Sequence, residues 1–132
     1  IDYFLPNDDE AAVITGRTDP LDQLRALRDS GARTAVVTLG DQGAVAAREG
    51  QCWRIGPYPV EVVDPSGSGD AFTGGIIAGA LRHLDLPDML RYASACGACA
   101  TRALGTTDGL LSVAGTQAFV DEHALRVTVE PL

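Results

Sequence analysis

The stretch Val62-VDPSGSGDAFTG-Gly75 decides how this chain is read. It places four glycines, two serines and two aspartates between an apolar run and an apolar segment of helical period. Glycine at this density weakens both neighbours, since each costs about 1 kcal/mol against alanine inside a helix. What it offers in return is backbone amides that can approach a ligand closely. A strand, a glycine turn and a helix N-terminus together form an anion site, because unpaired N–H groups converge there and the helix dipole adds partial positive charge.

Two familiar phosphate and acyl motifs do not fit. Gly67 and Gly69 match the start of a dinucleotide fingerprint, but Phe72 stands where its third glycine belongs. A hydrolase elbow needs glycine two residues before Ser68, and Ser66 is there instead. Asp70 is the informative residue. A carboxylate beside an anion cradle repels the anion unless it acts on a neighbouring group, and a proton taken from an attacking hydroxyl is such an action. The amides of Gly67, Ser68 and Gly69 would then stabilise a phosphoryl group in transfer. A tight turn with no chemical role is the competing explanation of the glycines, but it leaves Asp70 without a purpose.

The bulk composition agrees with a globular α/β protein. The 132 residues are 45% hydrophobic and 21% charged, with a net charge of −8. That acidity argues against a nucleic-acid or anionic-membrane partner. No apolar run reaches the length of a membrane span, and no signal-peptide pattern opens the chain, so a cytoplasmic protein is expected. All ten basic residues are arginine. Without lysine there is no Walker A loop, no kinase-type lysine and no Schiff base within this chain. Three cysteines suit a reducing compartment. Cys96 and Cys99 form a CxxC inside a run of small residues, and helix packing is favoured over a redox or zinc role.

Outward from the glycine stretch, strands and helices alternate. Ile1–Leu5 reads as a buried strand. Asn7 or Asp8 can cap a helix that Gly16 ends, and Asp19-Pro20 opens a second amphipathic helix closed near Gly31. Thr34–Gly40 reads as a strand buried on both faces. A hairpin follows with its turn near Glu49-Gly50, and Val60–Val63 reads as another short strand. Helices are expected from Gly69 to about Leu84, from near Pro87, and over 116–125. This alternation predicts a parallel sheet.

The stretch DPSGSGDAFTGGIIAGAL resembles the C-terminal signature of the ribokinase-like (PfkB) carbohydrate kinases. LPNDDEAAVITG is similar to that family's Asn-x-x-Glu segment, and VVTLGDQGAVA to its Thr-x-Gly-x-x-Gly nucleotide segment, in the same order. The resemblance runs from Ile1 to about Phe119. It implies a three-layer ribokinase-like sheet with flanking helices, of which residues 1–132 would be the C-terminal, nucleotide-binding and catalytic part. The N-terminal half and its lid are then expected to be absent, with association to that half or to another copy of the chain.

The resemblance further implies an ATP-dependent phosphotransferase acting on a sugar or sugar-like hydroxyl. Asp70 would be the catalytic base, and Gly67, Ser68 and Gly69 the anion hole. Asn7, Thr38, Gly40 and Gly43 would bind nucleotide, and Glu10 would hold Mg²⁺ through water. Asp64 and Ser66 match positions that bind a monovalent cation, K⁺, in potassium-dependent members, and the segment Thr101 to Gly109 resembles the one that completes that site. From the residues alone, Asn7 and Glu10 also suit a simple helix cap, Thr38 a plain strand position and Asp64 a self-capped turn. A non-catalytic nucleotide-binding or subunit-interaction module derived from such a kinase is the alternative.

Overall fold

The computed structural model describes residues 1–58, 68–101, 113–122 and 125–132. They form two compact units, one of Ile1–Gly56 with Val127–Leu132 and one of Pro57–Arg126.

The first unit is built on one five-stranded sheet of order β1-β2-β3-β4-β5. Its strands are β1 (Tyr3–Phe4), β2 (Thr34–Thr38), β3 (Ala44–Arg48), β4 (Gln51–Ile55) and β5 (Val127–Pro131). Only β1 and β2 run parallel; β2–β3, β3–β4 and β4–β5 are antiparallel. The expectation of a parallel sheet is therefore corrected to a mixed one, while the expected hairpin at Glu49-Gly50 is present. A two-residue connection can only reverse the chain, and Glu49-Gly50, both at positive φ (51° and 78°), makes that reversal between β3 and β4. The expected strand over residues 1–5 shrinks to two residues, with Ile1 exposed. The expected strand over 60–63 lies outside the described residues.

Two helices flank this sheet, α1 (Asp8–Thr15) and α2 (Pro20–Asp29). Asp19 caps α2, its Oδ1 accepting from the amides of Leu21 (2.8 Å) and Asp22 (3.3 Å), with Pro20 in the first turn. Gly16 closes α1 in the left-handed conformation, its amide donating to Ala12. Leu24 and Leu27 of α2 and Ala11 of α1 pack with Ala35, Val37, Val45, Ala47 and Cys52 into one core. Val36 and Ala46 on the alternate face are also fully buried, as expected for strands without a wet side.

Among its described residues the second unit holds three helices, α3 (Ser68–Leu81), α4 (Leu86–Thr101) and α5 (Val113–Glu122). α3 begins one residue before the expected start and ends three before Leu84. His83 takes a left-handed conformation (φ 57°), and the Leu84 amide reaches back to the Gly79 carbonyl at 3.0 Å. Asp85 then caps α4, accepting from the Asp88 amide at 3.0 Å. α5 includes the expected helix from Thr116 to Glu122, and residues 123 and 124 lie outside the described ones. Tyr58 and Phe119 stack at 5.2 Å in a core shared with Ala95, Cys99 and Val120. The Tyr58 hydroxyl donates to the Arg91 carbonyl at 3.2 Å. Burial, ahead of nearby charges, pushes that phenol up to about 12.

Two of the glycines after Asp70 serve packing. A Cβ on Gly75 would sit 2.6 Å from the Ala93 Cα, and one on Gly79 would sit 2.8 Å from Met89 Cγ. α3 and α4 approach closely because these positions lack side chains. Gly74, one residue away, has nothing within 4 Å. Gly75→Ala should therefore destabilise the protein by about 1–3 kcal/mol through overpacking. Gly74→Ala should stabilise it by about 0.5–1 kcal/mol through helix propensity. Urea unfolding midpoints of the two variants check the opposite signs.

Candidate functional site

Asn7 is the N-cap of α1. Its Oδ1 accepts from the Glu10 amide at 2.7 Å, and Glu10 Oε1 accepts from the Asn7 amide at 3.0 Å. This reciprocal pair is a capping box, so the Asn-x-x-Glu spacing has a structural purpose of its own. It also fixes both side chains at the end of the sheet. Asn7 bridges Thr38 in parallel register, and the Thr38 amide donates to the Pro6 carbonyl at 3.1 Å. The first turn of α1 carries three carboxylates, Asp8, Asp9 and Glu10, all exposed.

Beyond Thr38 the chain makes a 3₁₀ turn, Gly40–Gln42, before entering β3. The Leu39 amide donates to the Gly43 carbonyl at 2.8 Å and closes the loop. Gly40 (φ 60°) and Gly43 (φ 95°) both lie in the left-handed region. Gly43 also passes against the end of β4, where a Cβ would meet the Ile55 carbonyl oxygen at 2.0 Å. The turn is thus held open at the C-terminal end of β2 by two positions that require glycine. Asn7, Glu10, Thr38, Gly40 and Gly43 are brought together at this one end of the sheet.

Gly69 and Asp70 belong to the second unit. Both are exposed in the first turn of α3, a helix of 14 residues. Ser68 is the first residue of that helix. Asp64, Ser66 and Gly67 lie outside the described residues, as does nearly all of the 101–109 segment.

Gln23 is a residue that sequence reasoning passed over. It is only 1% exposed. Its Nε2 donates to the Arg17 carbonyl at 2.9 Å and the Asp8 carbonyl at 3.3 Å, tying both ends of α1 to α2. Its Oε1 has no hydrogen-bond partner among the described residues. A glutamine within an amphipathic helix gives no signal of this role.

The CxxC sits within α4. Cys99 is buried and Cys96 half-buried. Burial first, then the neighbouring Cys99, pushes the Cys96 thiol up to about 11, against a hydrogen bond with Tyr92. A reactive cysteine needs the opposite shift. At pH 8 roughly one Cys96 side chain in a thousand would be thiolate. Alkylation of the folded protein by iodoacetamide should be slow at pH 8 and rise about tenfold per pH unit up to pH 10. Rapid stoichiometric labelling at pH 8 would contradict this.

The pfkB family carbohydrate kinase model matches residues 1–112, and the chain belongs to that family. The chain is 31% identical over 126 residues to an ATP-dependent 6-phosphofructokinase of Thermoanaerobacterium thermosaccharolyticum, covering 96% of this chain and 39% of that protein. A protein designated ribokinase II from E. coli, solved with ATP and Mg²⁺, superposes with a TM-score of 0.85 at 30% identity. The match covers 92% of this chain and 40% of that one. Phosphofructokinase-2 from Escherichia coli, solved with potassium, gives a TM-score of 0.81 at 30% identity, covering 94% and 41%. The mixed sheet with flanking helices is thus a ribokinase-like fold, and the chain spans about two fifths of the length of these relatives.

Proposed function

We propose that this chain is the nucleotide-binding and catalytic part of a kinase that transfers the γ-phosphoryl group of ATP to a sugar or sugar-like hydroxyl. The observation that carries this is the end of the sheet where the Asn7–Glu10 capping box meets Thr38 and the Gly40–Gly43 turn. Backbone groups of that turn would face the nucleotide, and the Asn7 side chain would meet its phosphates. The exposed carboxylates of α1 are hard oxygen donors, suited to Mg²⁺. Glu10 keeps lone pairs free beyond the one held by the Asn7 amide, so it can also accept from metal-bound water. Mg²⁺ would neutralise phosphate charge, which a chain without lysine needs.

The chain's own groups supply the rest. The amides of Gly67, Ser68 and Gly69, the last two in the first turn of α3, would donate to the oxygens of the moving phosphoryl group, assisted by the helix dipole. The Asp70 carboxylate would accept the proton of the attacking hydroxyl as the oxygen–phosphorus bond forms. Asp64 and Ser66 would hold K⁺, the ion found in the Escherichia coli phosphofructokinase-2 structure. Exposed Val13 and Ile14 on α1 leave apolar surface for the remainder of such a kinase or a second copy of the chain.

Calorimetric titration with Mg-ADP, with and without K⁺, followed by an ATP-dependent sugar panel on the intact protein, tests the reading. Binding together with phosphoryl transfer supports it. Binding without transfer to any sugar, nucleoside or phosphosugar would favour a non-catalytic nucleotide module. No binding by the folded protein would overturn the nucleotide site itself.

A further inference from the structure

The opposite end of the sheet carries a second concentration of functional groups. Arg28 near the end of α2, Arg33 just before β2 and Arg48 at the end of β3 line an open cleft of about 540 Å³ with Tyr3 and Thr34. The carboxylates of Asp2 and Glu49 also line it, against the three arginines. Tyr3 and Thr34 pair at the start of the two parallel strands, and Thr34 also pairs with Arg48. Asn7 and Thr38 pair four residues further along, about 13 Å away at 3.3 Å per residue. The cleft is therefore separate from the nucleotide residues.

The arginines here are held in an unusual way. Arg48 donates through Nε to Thr34 Oγ1 at 2.7 Å and through Nη2 to the Tyr3 hydroxyl at 3.1 Å. Its guanidinium lies 5.7 Å from the Tyr3 ring centre. Arg28 Nη1 donates to the carbonyls of Ala32 and Arg33. Both residues are half-buried, and neither takes part in an ion pair among the described residues. Arg33 has only a loose 3.7 Å pair with exposed Asp2.

A chain with 18 acidic and 10 basic residues has carboxylates to spare. Yet it holds two half-buried arginines by hydrogen bonds to neutral oxygens. Unpaired charge held this way costs solvation free energy that an anionic ligand would recover. Planar guanidiniums offer paired N–H donors that match phosphoryl oxygens.

We propose that this cleft binds a small phosphoryl anion, an inorganic phosphate or phosphate monoester, at a site distinct from the nucleotide residues. A bound dianion would tie β1, β2, β3 and the end of α2 together. Arg33 would supply the mobile third contact over the pre-set pair of Arg28 and Arg48.

The test is calorimetric titration of the intact protein with inorganic phosphate and with pyrophosphate, repeated on Arg33→Gln, Arg48→Gln and the distant control Arg17→Gln. Saturable binding of one anion per chain is expected. Losing a charge-assisted contact should weaken it about fivefold or more in Arg33→Gln and Arg48→Gln, and leave it unchanged in Arg17→Gln. Arg33 is exposed and its side chain has one ion pair among the described residues, with Asp2, so its variant remains informative if Arg48→Gln fails to fold. Mg-ADP affinity should be unaffected in Arg33→Gln, which separates this site from the nucleotide end. Equal phosphate binding in wild type and Arg33→Gln, or no saturable binding at all, would overturn the proposal. So would binding of an Asp/Glu-rich peptide at these arginines in the absence of phosphate binding.

Discussion

Gly43→Ala is expected to lower stability by more than about 3 kcal/mol, a large share of the 5–15 kcal/mol that holds a typical domain. Two costs act together. Gly43 has φ 95° and ψ −137°, a backbone region that residues with a Cβ avoid. The added carbon would also stand 2.0 Å from the Ile55 carbonyl oxygen and 2.9 Å from the Gly56 Cα. Both neighbours are backbone, and Ile55 is paired with Ala44 in the β3–β4 ladder, so relief would disturb that pairing. Gly40→Ala is the control. Gly40 has φ 60° and nothing within 4 Å of the added carbon, so only the left-handed penalty of about 1–2 kcal/mol applies. Urea unfolding of both variants reads the difference. Equal midpoints would mean that the turn is not pressed against β4, and that the glycine spacing there reflects the backbone angle alone.

The features legible in the sequence were those with local chemistry. Asp19-Pro20, the Asn7–Glu10 box and Gly16 declare helix ends because caps act within four residues. Glu49-Gly50 declares a reversal for the same reason. Alternation of element types points to parallel pairing, whereas the two-residue turn at Glu49-Gly50 forbids it between β3 and β4. β5 left little trace. Val127 and Val129 alternate with Thr128 and Glu130, but the strand is short, mostly exposed and ends at Pro131, as an edge strand can. Its partner β4 lies more than 70 residues earlier, and no local rule connects them.

The candidate site divides in the same way. Asn7 and Glu10 stand out because cap geometry and the proposed phosphate and metal role ask for the same residues at the same spacing. Gly75 and Gly79, by contrast, sit in the most conspicuous stretch of the chain, and their purpose is the approach of α4. The arginine cleft was invisible, since its side chains come from positions 28, 33 and 48 and meet only when β2 and β3 pair. Gln23 was hidden for the same reason: its two acceptors, Asp8 and Arg17, are carbonyls of another segment.

Asp70→Asn should lower the kcat of the intact kinase by about 10²–10⁴, the range for loss of a general acid–base group. Asparagine keeps the shape of the side chain but has no carboxylate to take the hydroxyl proton. The fold should survive the change, because Asp70 is exposed in the first turn of α3 and a charge there contributes at most about 1 kcal/mol through the helix dipole. The Kd for Mg-ADP should move by no more than about twofold, since in the proposed role Asp70 acts on the attacking hydroxyl and supplies no nucleotide contact. Asp70→Glu adds one methylene and retains the base in a displaced position, so its kcat should fall between the two. Measuring kcat, KM for both substrates and nucleotide Kd on the three proteins separates the roles. A parallel loss of turnover and nucleotide binding in Asp70→Asn would make Asp70 a structural residue of the α3 N-terminus. Unchanged turnover would return the base to some other group, and the Gly67–Gly69 amides would then be left as an anion site whose nucleophile is activated elsewhere.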